Sequence, residues 1–263
     1  LMKKRVERLN CMDNVFFFSV LYNPPENAIK NIILARLAGF IPIVYLNNVN
    51  EEYLNKLKDL EVVTLGGNSN VGLGVAFNEV EVYLSSNSVE HFIYFDQDTI
   101  VGQSSWNAIK NSYLNFFHDD VGMLYFNNHI SSDDLSVVIS SGCAFSLKVL
   151  SVIGYHDRSY FVEGVDYEFC LRLKAHGYKI KSVLLNAIDH STLQDKAEKF
   201  FFGKKIDIRC YGSGRLSDFN KSHLRLIKKA IKLRQYKLLF FFIKSFIVFN
   251  LNELFNRFLR AIL

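Results

Sequence analysis

The sequence predicts an α/β fold built on a mostly parallel, doubly wound sheet, and three observations lead there. Short apolar runs alternate with helical stretches from residue 15 to residue 125, with brief turns between them, which is the pattern of strands crossing over through helices. One run, Phe92-Ile93-Tyr94-Phe95, stops abruptly at Asp96-Gln97-Asp98. A buried strand delivers the residues at its end to the carboxyl edge of the sheet, where open α/β sheets bind ligands. Finally, 49% of the 263 residues are hydrophobic, enough for a core of that size.

Taken in order, residues 15–21 (VFFFSVL) read as a first buried strand, and Tyr22-Asn23-Pro24-Pro25 breaks it ahead of a helix at 26–38. Residues 41–46 form a second strand ending at Asn47-Asn48. A helix at 51–60, a short strand at 62–65 and a turn at Gly66-Gly67 follow. Next come a helix at 72–84, the Asp-x-Asp strand, a helix around 104–117 and a strand at 121–125. Beyond this the pattern loosens: 131–134 is a polar loop, 137–140 a strand, and Ser141-Gly142 a tight approach. A helix spans 164–177 and stops at His176-Gly177, as helices do. A strand at 179–185 then leads to Asp189-His190. Residues 12–214 are expected to form this α/β domain, with Met12 a candidate start, and 215–263 a helical segment.

Charge is segregated along the chain. From Arg215 onward eleven Lys and Arg face only Asp218 and Glu253, a balance of +9; against the total of +5 this leaves the preceding residues at −4. The basic segment is also greasy, with Phe240-Phe241-Phe242 and Phe246-Ile247-Val248-Phe249. Lys244 and Asn250 interrupt it, so no continuous run reaches the ~18 residues of a membrane span. Lying on an anionic membrane surface is expected over crossing it; the competing reading is a helix packed on the domain or on a partner subunit. No nucleic-acid motif accompanies the basic residues, and no nucleic-acid partner is expected. Cys11, Cys143, Cys170 and Cys210 lie far apart, unlike a zinc site or a disulfide framework, and fit a reducing cytosol. The first residues lack the apolar core of a secretory signal.

Two carboxylates one residue apart repel unless a cation lies between them, and hard oxygen ligands suit Mg²⁺ or Mn²⁺, ions that usually also hold phosphates. Asp96 and Asp98 are therefore expected to form a metal–diphosphate site; the bland alternative caps a turn with one Asp and solvates the other. The aspartyl-phosphate phosphatase pattern is a minor alternative, because it needs Thr or Val where this chain has Ile100. The glycines of GGNSNVGLG (66–74) miss the dinucleotide fingerprint spacing. Asn70 is instead expected to cap the helix that begins near Gly72, with Asn78 on a similar face, so that amides and backbone donors meet a ligand. In Glu163-Gly164-Val165-Asp166-Tyr167-Glu168, Glu168 is expected to pair with Arg172 at the surface. Asp166, near the helix start, is expected to face a cleft and act as general base, with Glu163 as the lesser substitute. His190 either completes the coordination begun by Asp98 or is an ordinary surface or core histidine.

The succession VLYNPP (20–25), a strand ending in Asn-Asn (47–48), NVGLGVAFN (70–78), FDQDT (95–99), SSG (140–142) and FVEGVDYEFCLRL (161–173) resembles family 2 glycosyltransferases over residues 15–215. The likeness is greatest to the bacterial rhamnosyltransferase group, in which Asp-Gln-Asp is common. It implies a GT-A fold with nucleotide-binding and acceptor halves. By position, Asp96 would contact the ribose or the metal, Asp98 would ligate Mg²⁺ or Mn²⁺, and Asp166 would deprotonate the acceptor. Tyr22, Asn47, Asn70 and Gly72 would form the nucleotide pocket, and His190 would lie near the diphosphate or metal. One departure is clear: Leu46-Asn47-Asn48 replaces the usual Val-Asp-Asn, so a charged acceptor becomes an amide.

The implied activity is inverting, metal-dependent transfer of a sugar, best matched by L-rhamnose, from a nucleoside-diphosphate donor. The acceptor would be a polyprenyl-linked or other lipid-linked glycan, in O-antigen or other surface polysaccharide synthesis. A UDP-hexose or galactofuranose transferase and a non-catalytic nucleotide-sugar-binding homologue are the alternatives. The expected place is the cytoplasm, at the inner face of the cell membrane.

Overall fold

Eleven strands can be followed in a computed structural model that describes residues 15–60, 62–186, 188–190, 197–201, 204–208 and 210–262. The side chains of residues 112, 114, 189, 190, 197–201 and 204–208 lie outside that description. The strands are β1 (Val15–Leu21), β2 (Phe40–Leu46), β3 (Val63–Leu65), β4 (His91–Tyr94), β5 (Thr99–Val101), β6 (Val121–Asn127), β7 (Cys143–Ser146), β8 (Lys179–Leu184), β9 (Ile188–His190), β10 (Ala197–Phe201) and β11 (Lys204–Ile208). Seven form the central sheet in the order β3-β2-β1-β4-β7-β6-β8. The β1–β2, β1–β4, β2–β3 and β6–β8 pairs are parallel, and β7 runs against both β4 and β6. The sheet is thus mostly parallel, as the sequence predicts.

Both faces are covered, which is why its strands are apolar without alternating polar residues. Phe18 and Val20 of β1, with Phe92 and Tyr94 of β4, face one core; Phe17 and Leu21, with Ile93 and Phe95, face the other. The second core is closed by α1 (Glu26–Leu37), α2 (Glu51–Lys58) and α4 (Gln103–Ser112), through Ile32, Tyr53, Leu57 and Trp106. The first is closed by α3 (Leu73–Ser86), α5 (Leu147–Ile153) and α6 (Val165–Ala175), through Phe77, Leu150 and Phe169. Cys143 and Cys170 are buried in that first core, where desolvation pushes the Cys143 thiol well up and the Cys170 thiol to about 12.

One expectation needs correction, and the C-terminal segment takes a definite form. The strand expected at 137–140 is a loop, and the strand begins only at Cys143, after a turn at Gly142. Gly142 has a φ of +87°, and a Cβ there would collide with the Phe126 carbonyl, so only glycine fits. The C-terminal segment consists of two helices, α7 (Ser213–Lys232) and α8 (Tyr236–Ile262), parted where Arg234 turns left-handed at φ +56°. No Gly or Pro marks that break. Lastly, α8 has 27 residues and is long and apolar enough to cross a membrane by length and composition, its two polar interruptions notwithstanding. Leu238, Phe242 and Leu259 pack inward, while Phe240, Ile247, Leu251, Leu254, Phe255 and Phe258 are exposed. The β5–β9 pair, the β10–β11 hairpin and α5 have no counterpart in the sequence reading.

Candidate active site

The turn after β4 carries Asp96 and Asp98, and hydrogen bonds clamp it on three sides. Gln97 bridges to the end of β1: its Oε1 accepts from Tyr22 N at 2.8 Å and its Nε2 donates to Tyr22 O at 2.8 Å. Asp96 N donates to Ser141 Oγ at 3.0 Å, and Ser141 Oγ lies 2.7 Å from Thr99 Oγ1. Asn31 of α1 donates to Thr99 O and accepts from Val101 N. The clamp leaves the middle residue Gln97 turned back on the backbone and the two flanking aspartates half-buried at the sheet edge.

Ser140, next to Ser141, donates to Asp166 Oδ1 at 2.5 Å. One pair of neighbouring serines therefore tethers both the Asp-x-Asp turn and the first turn of α6. The buried Tyr94 hydroxyl donates to Asp96 Oδ1 at 2.5 Å. Its own ionisation is pushed well up, by burial first and then by the charges of Asp96, Asp166 and Asp98. Two carboxylates next to it in the sequence and one, Asp166, from 72 residues on thus act on one phenol. The Asp166 carboxyl is itself held above the usual carboxylate range by desolvation, opposed by the Ser140 hydrogen bond and by His156. A carboxyl raised in this way is suited to take up a proton.

At the neighbouring strand end, buried Asn47 directly follows β2. Its Nδ2 donates to Asn70 Oδ1 at 3.1 Å, and its Oδ1 accepts from Val71 N at 2.8 Å. An amide serves this position because it both donates and accepts, which a carboxylate cannot. Asn70 does not cap α3 as expected: the residue before the helix is Gly72, at φ +85°, with no side-chain cap. Asn70 Oδ1 instead accepts from Gly72 N at 3.3 Å. Asn78 faces protein, its Nδ2 donating to His156 O at 2.9 Å. Tyr22 is 43% exposed beside Gln97.

The Glu168–Arg172 pair is not at the surface. Glu168 is buried, Arg172 grips it through Nε at 2.6 Å and Nη2 at 2.9 Å, and Lys229 of α7 joins them. The remaining Arg172 donors satisfy the carbonyls of Ile153, Gly154 and Tyr155, as a buried cation requires. Glu163, the substitute base, pairs with Arg215 at 2.6 Å. The backbone of His190 pairs with that of Thr99, and its side chain lies outside the described residues.

Sequence reasoning missed Gln97, Ser140, Ser141 and Tyr94 as parts of this site. The Ser-Ser-Gly run was the available signal for two of them. Among the described residues no group of three or more His, Cys, Asp and Glu side chains stands ready to hold a metal alone. Two hard carboxylates are nevertheless the protein share that Mg²⁺ takes when phosphate and water supply the rest, so the donor set fits an ion bound together with a diphosphate.

No family model matches the chain. It is 26% identical over 192 residues to the dTDP-rhamnosyl transferase RfbF of Shigella flexneri; the match covers 62% of this chain and 64%, slightly under two thirds, of that relative. TarS 1-349 of S. aureus superposes with a TM-score of 0.59 at 12% identity, over 87% of this chain and 69% of that one. Its complex with UDP-GlcNAc gives 0.59 at 14% identity, over 88% and 72%. At such identities the structural likeness speaks for architecture alone, and the sequence match is a resemblance over part of each chain. Motifs, match and topology point one way: the chain resembles the bacterial family 2 glycosyltransferases and has a GT-A fold.

Proposed function

We propose that this chain is an inverting glycosyltransferase that takes a sugar from a nucleoside-diphosphate donor. The observation that carries the reading is the tether by which adjacent Ser140 and Ser141 hold Asp166 and Asp96 together around Tyr94. Tyr22, Asn47, Asn70 and the Gly72 backbone would receive the nucleotide. Asp96 and Asp98 would hold Mg²⁺ or Mn²⁺, with His190 as a further ligand proposed from its backbone register beside Thr99; when bound, such an ion offsets the charge of the diphosphate. Asp166 would take the proton of the acceptor hydroxyl as that oxygen attacks the anomeric carbon from the face opposite the leaving diphosphate. Two observations support the donor class: the Shigella relative is a dTDP-rhamnosyl transferase and TarS was crystallised with UDP-GlcNAc and with UDP. The former favours dTDP-rhamnose, with UDP-hexose or UDP-galactofuranose as the alternative donors.

The outward face of α8 supports a lipid-linked glycan acceptor at the inner face of the cell membrane. Its exposed Phe and Leu residues, beside Lys237, Lys244, Arg257 and Arg260, suit an anionic leaflet. The test is incubation with a panel of nucleotide sugars and lipid-linked acceptors, with product detected by mass. Transfer from dTDP-rhamnose supports the full reading, and transfer from a UDP-sugar supports the alternative. Nucleoside-diphosphate binding with no transfer from any donor leaves only a binding homologue.

A further inference from the structure

The loop from α5 to α6, residues 154–164, leads to Asp166 and is gripped from two sides. Inside, His156 stacks between Phe77 and Phe169, and both its backbone N–H and its Nδ1 meet the buried carboxylate of Glu81. Phe161 O accepts from Leu73 N at 2.5 Å, where α3 starts beside Asn70. The approach is so close that a Cβ at Gly74 would collide with the carbonyl of Tyr160 and stand 2.7 Å from that of Asp157.

Outside, Arg158 reaches Glu79 of α3 at 3.1 Å, and α7 supplies the grip on the rest. Asp218 of α7 accepts with one oxygen from the N–H groups of Val162 at 3.0 Å and Glu163 at 2.9 Å. Arg215 holds the Glu163 carboxylate, Arg225 donates to Ser159 O, and Lys229 lies 3.6 Å from Asp157. Gly164 follows at φ +80°, and a Cβ there would press on Leu226 at 3.2 Å and Ser222 at 3.3 Å.

We infer that α7 is the positioning element for the base, and that Asp218, by fixing the two peptide N–H groups ahead of Gly164, sets where α6 begins and so where Asp166 points. The inference rests on the proposed transferase reading. In it Asp218 touches neither donor nor acceptor and acts through Asp166 alone. Loss of positioning of this kind slows the chemical step with little change in ground-state binding.

The experiment compares Asp218→Ala and Asp218→Asn with the native full chain. Asp218→Ala is expected to lower kcat by about tenfold or more while donor KM and nucleoside-diphosphate binding stay within about twofold. Asp218→Asn, which keeps an oxygen able to accept both N–H groups, restores kcat. Hydrogen exchange at Val162 and Glu163 reads the clamp without any substrate: faster exchange in Asp218→Ala and native exchange in Asp218→Asn is expected. Native kcat in Asp218→Ala overturns the inference, as does a loss that Asn does not restore or one that nucleotide binding shares. A native chain that transfers no sugar from any donor overturns the transferase reading instead, a result that the exchange data cannot mimic.

Discussion

With Asp166 as the proposed base, the acid limb of the pH profile belongs to this residue. Its carboxyl is raised by desolvation, and a base must be ionised, so kcat should fall as pH drops through that raised value. Ser140→Ala removes a hydrogen bond that favours the carboxylate, which raises the group further and moves the acid limb of the pH profile to higher pH. A profile that stays in place, or moves down, removes Asp166 as the base. Asp98 has a different signature. Native protein with a nucleoside diphosphate and Mn²⁺ at 100 times Kd should gain about 2.7 kcal/mol of stability; Asp98→Ala should lose the Mn²⁺-dependent part, read by thermal shift. At this scale the sequence was legible where chemistry dictates residue type: paired acids after a strand could be picked out. Ser140 and Ser141 could not, because a serine's task depends on partners 26 and 45 positions away. Glu168 was placed at the surface because spacing of four gives a pair but not its depth.

Helices and strands with strong periodicity were readable in order, from β1 through β4, at α4 and β6, and again at α6 and β8, since apolar runs bounded by turns have few other solutions. Residues 137–140 misled because an apolar run beside a ligand edge can line a loop as well as a strand: Val138 is buried without any ladder. The gap between α7 and α8 was invisible because Arg234 takes a conformation that its type does not advertise. The α6–α7 contact has a measurable strength. Glu168→Ala leaves Arg172 and Lys229 without their buried anion and should cost about 3–5 kcal/mol, read by denaturant unfolding. Lys229→Met should cost much less, since Arg172 still pairs with Glu168 at 2.6 Å. Equal losses would mean that Lys229, not Arg172, neutralises the carboxylate.

For the whole molecule, charge segregation and the outward face of α8 make one forecast. Native protein should sediment with vesicles containing anionic lipid, less so with neutral ones and less at high salt, with each Lys or Arg near the surface contributing about 1 kcal/mol. Leu251→Asp with Phe255→Asp, both exposed, should release it while leaving thermal stability close to native. Binding that ignores lipid charge would mean that α8 enters the bilayer through its apolar residues alone, and no binding to either vesicle would assign α8 to a protein neighbour. The two buried thiols add a quieter consequence. Cys143 and Cys170 are both sealed and hard to ionise, so alkylating reagents should label them only in molecules that have opened. Their modification rate, followed by peptide mass, then clocks the opening of the interior in the presence or absence of any candidate donor, which makes these cysteines an internal stopwatch for ligand screening.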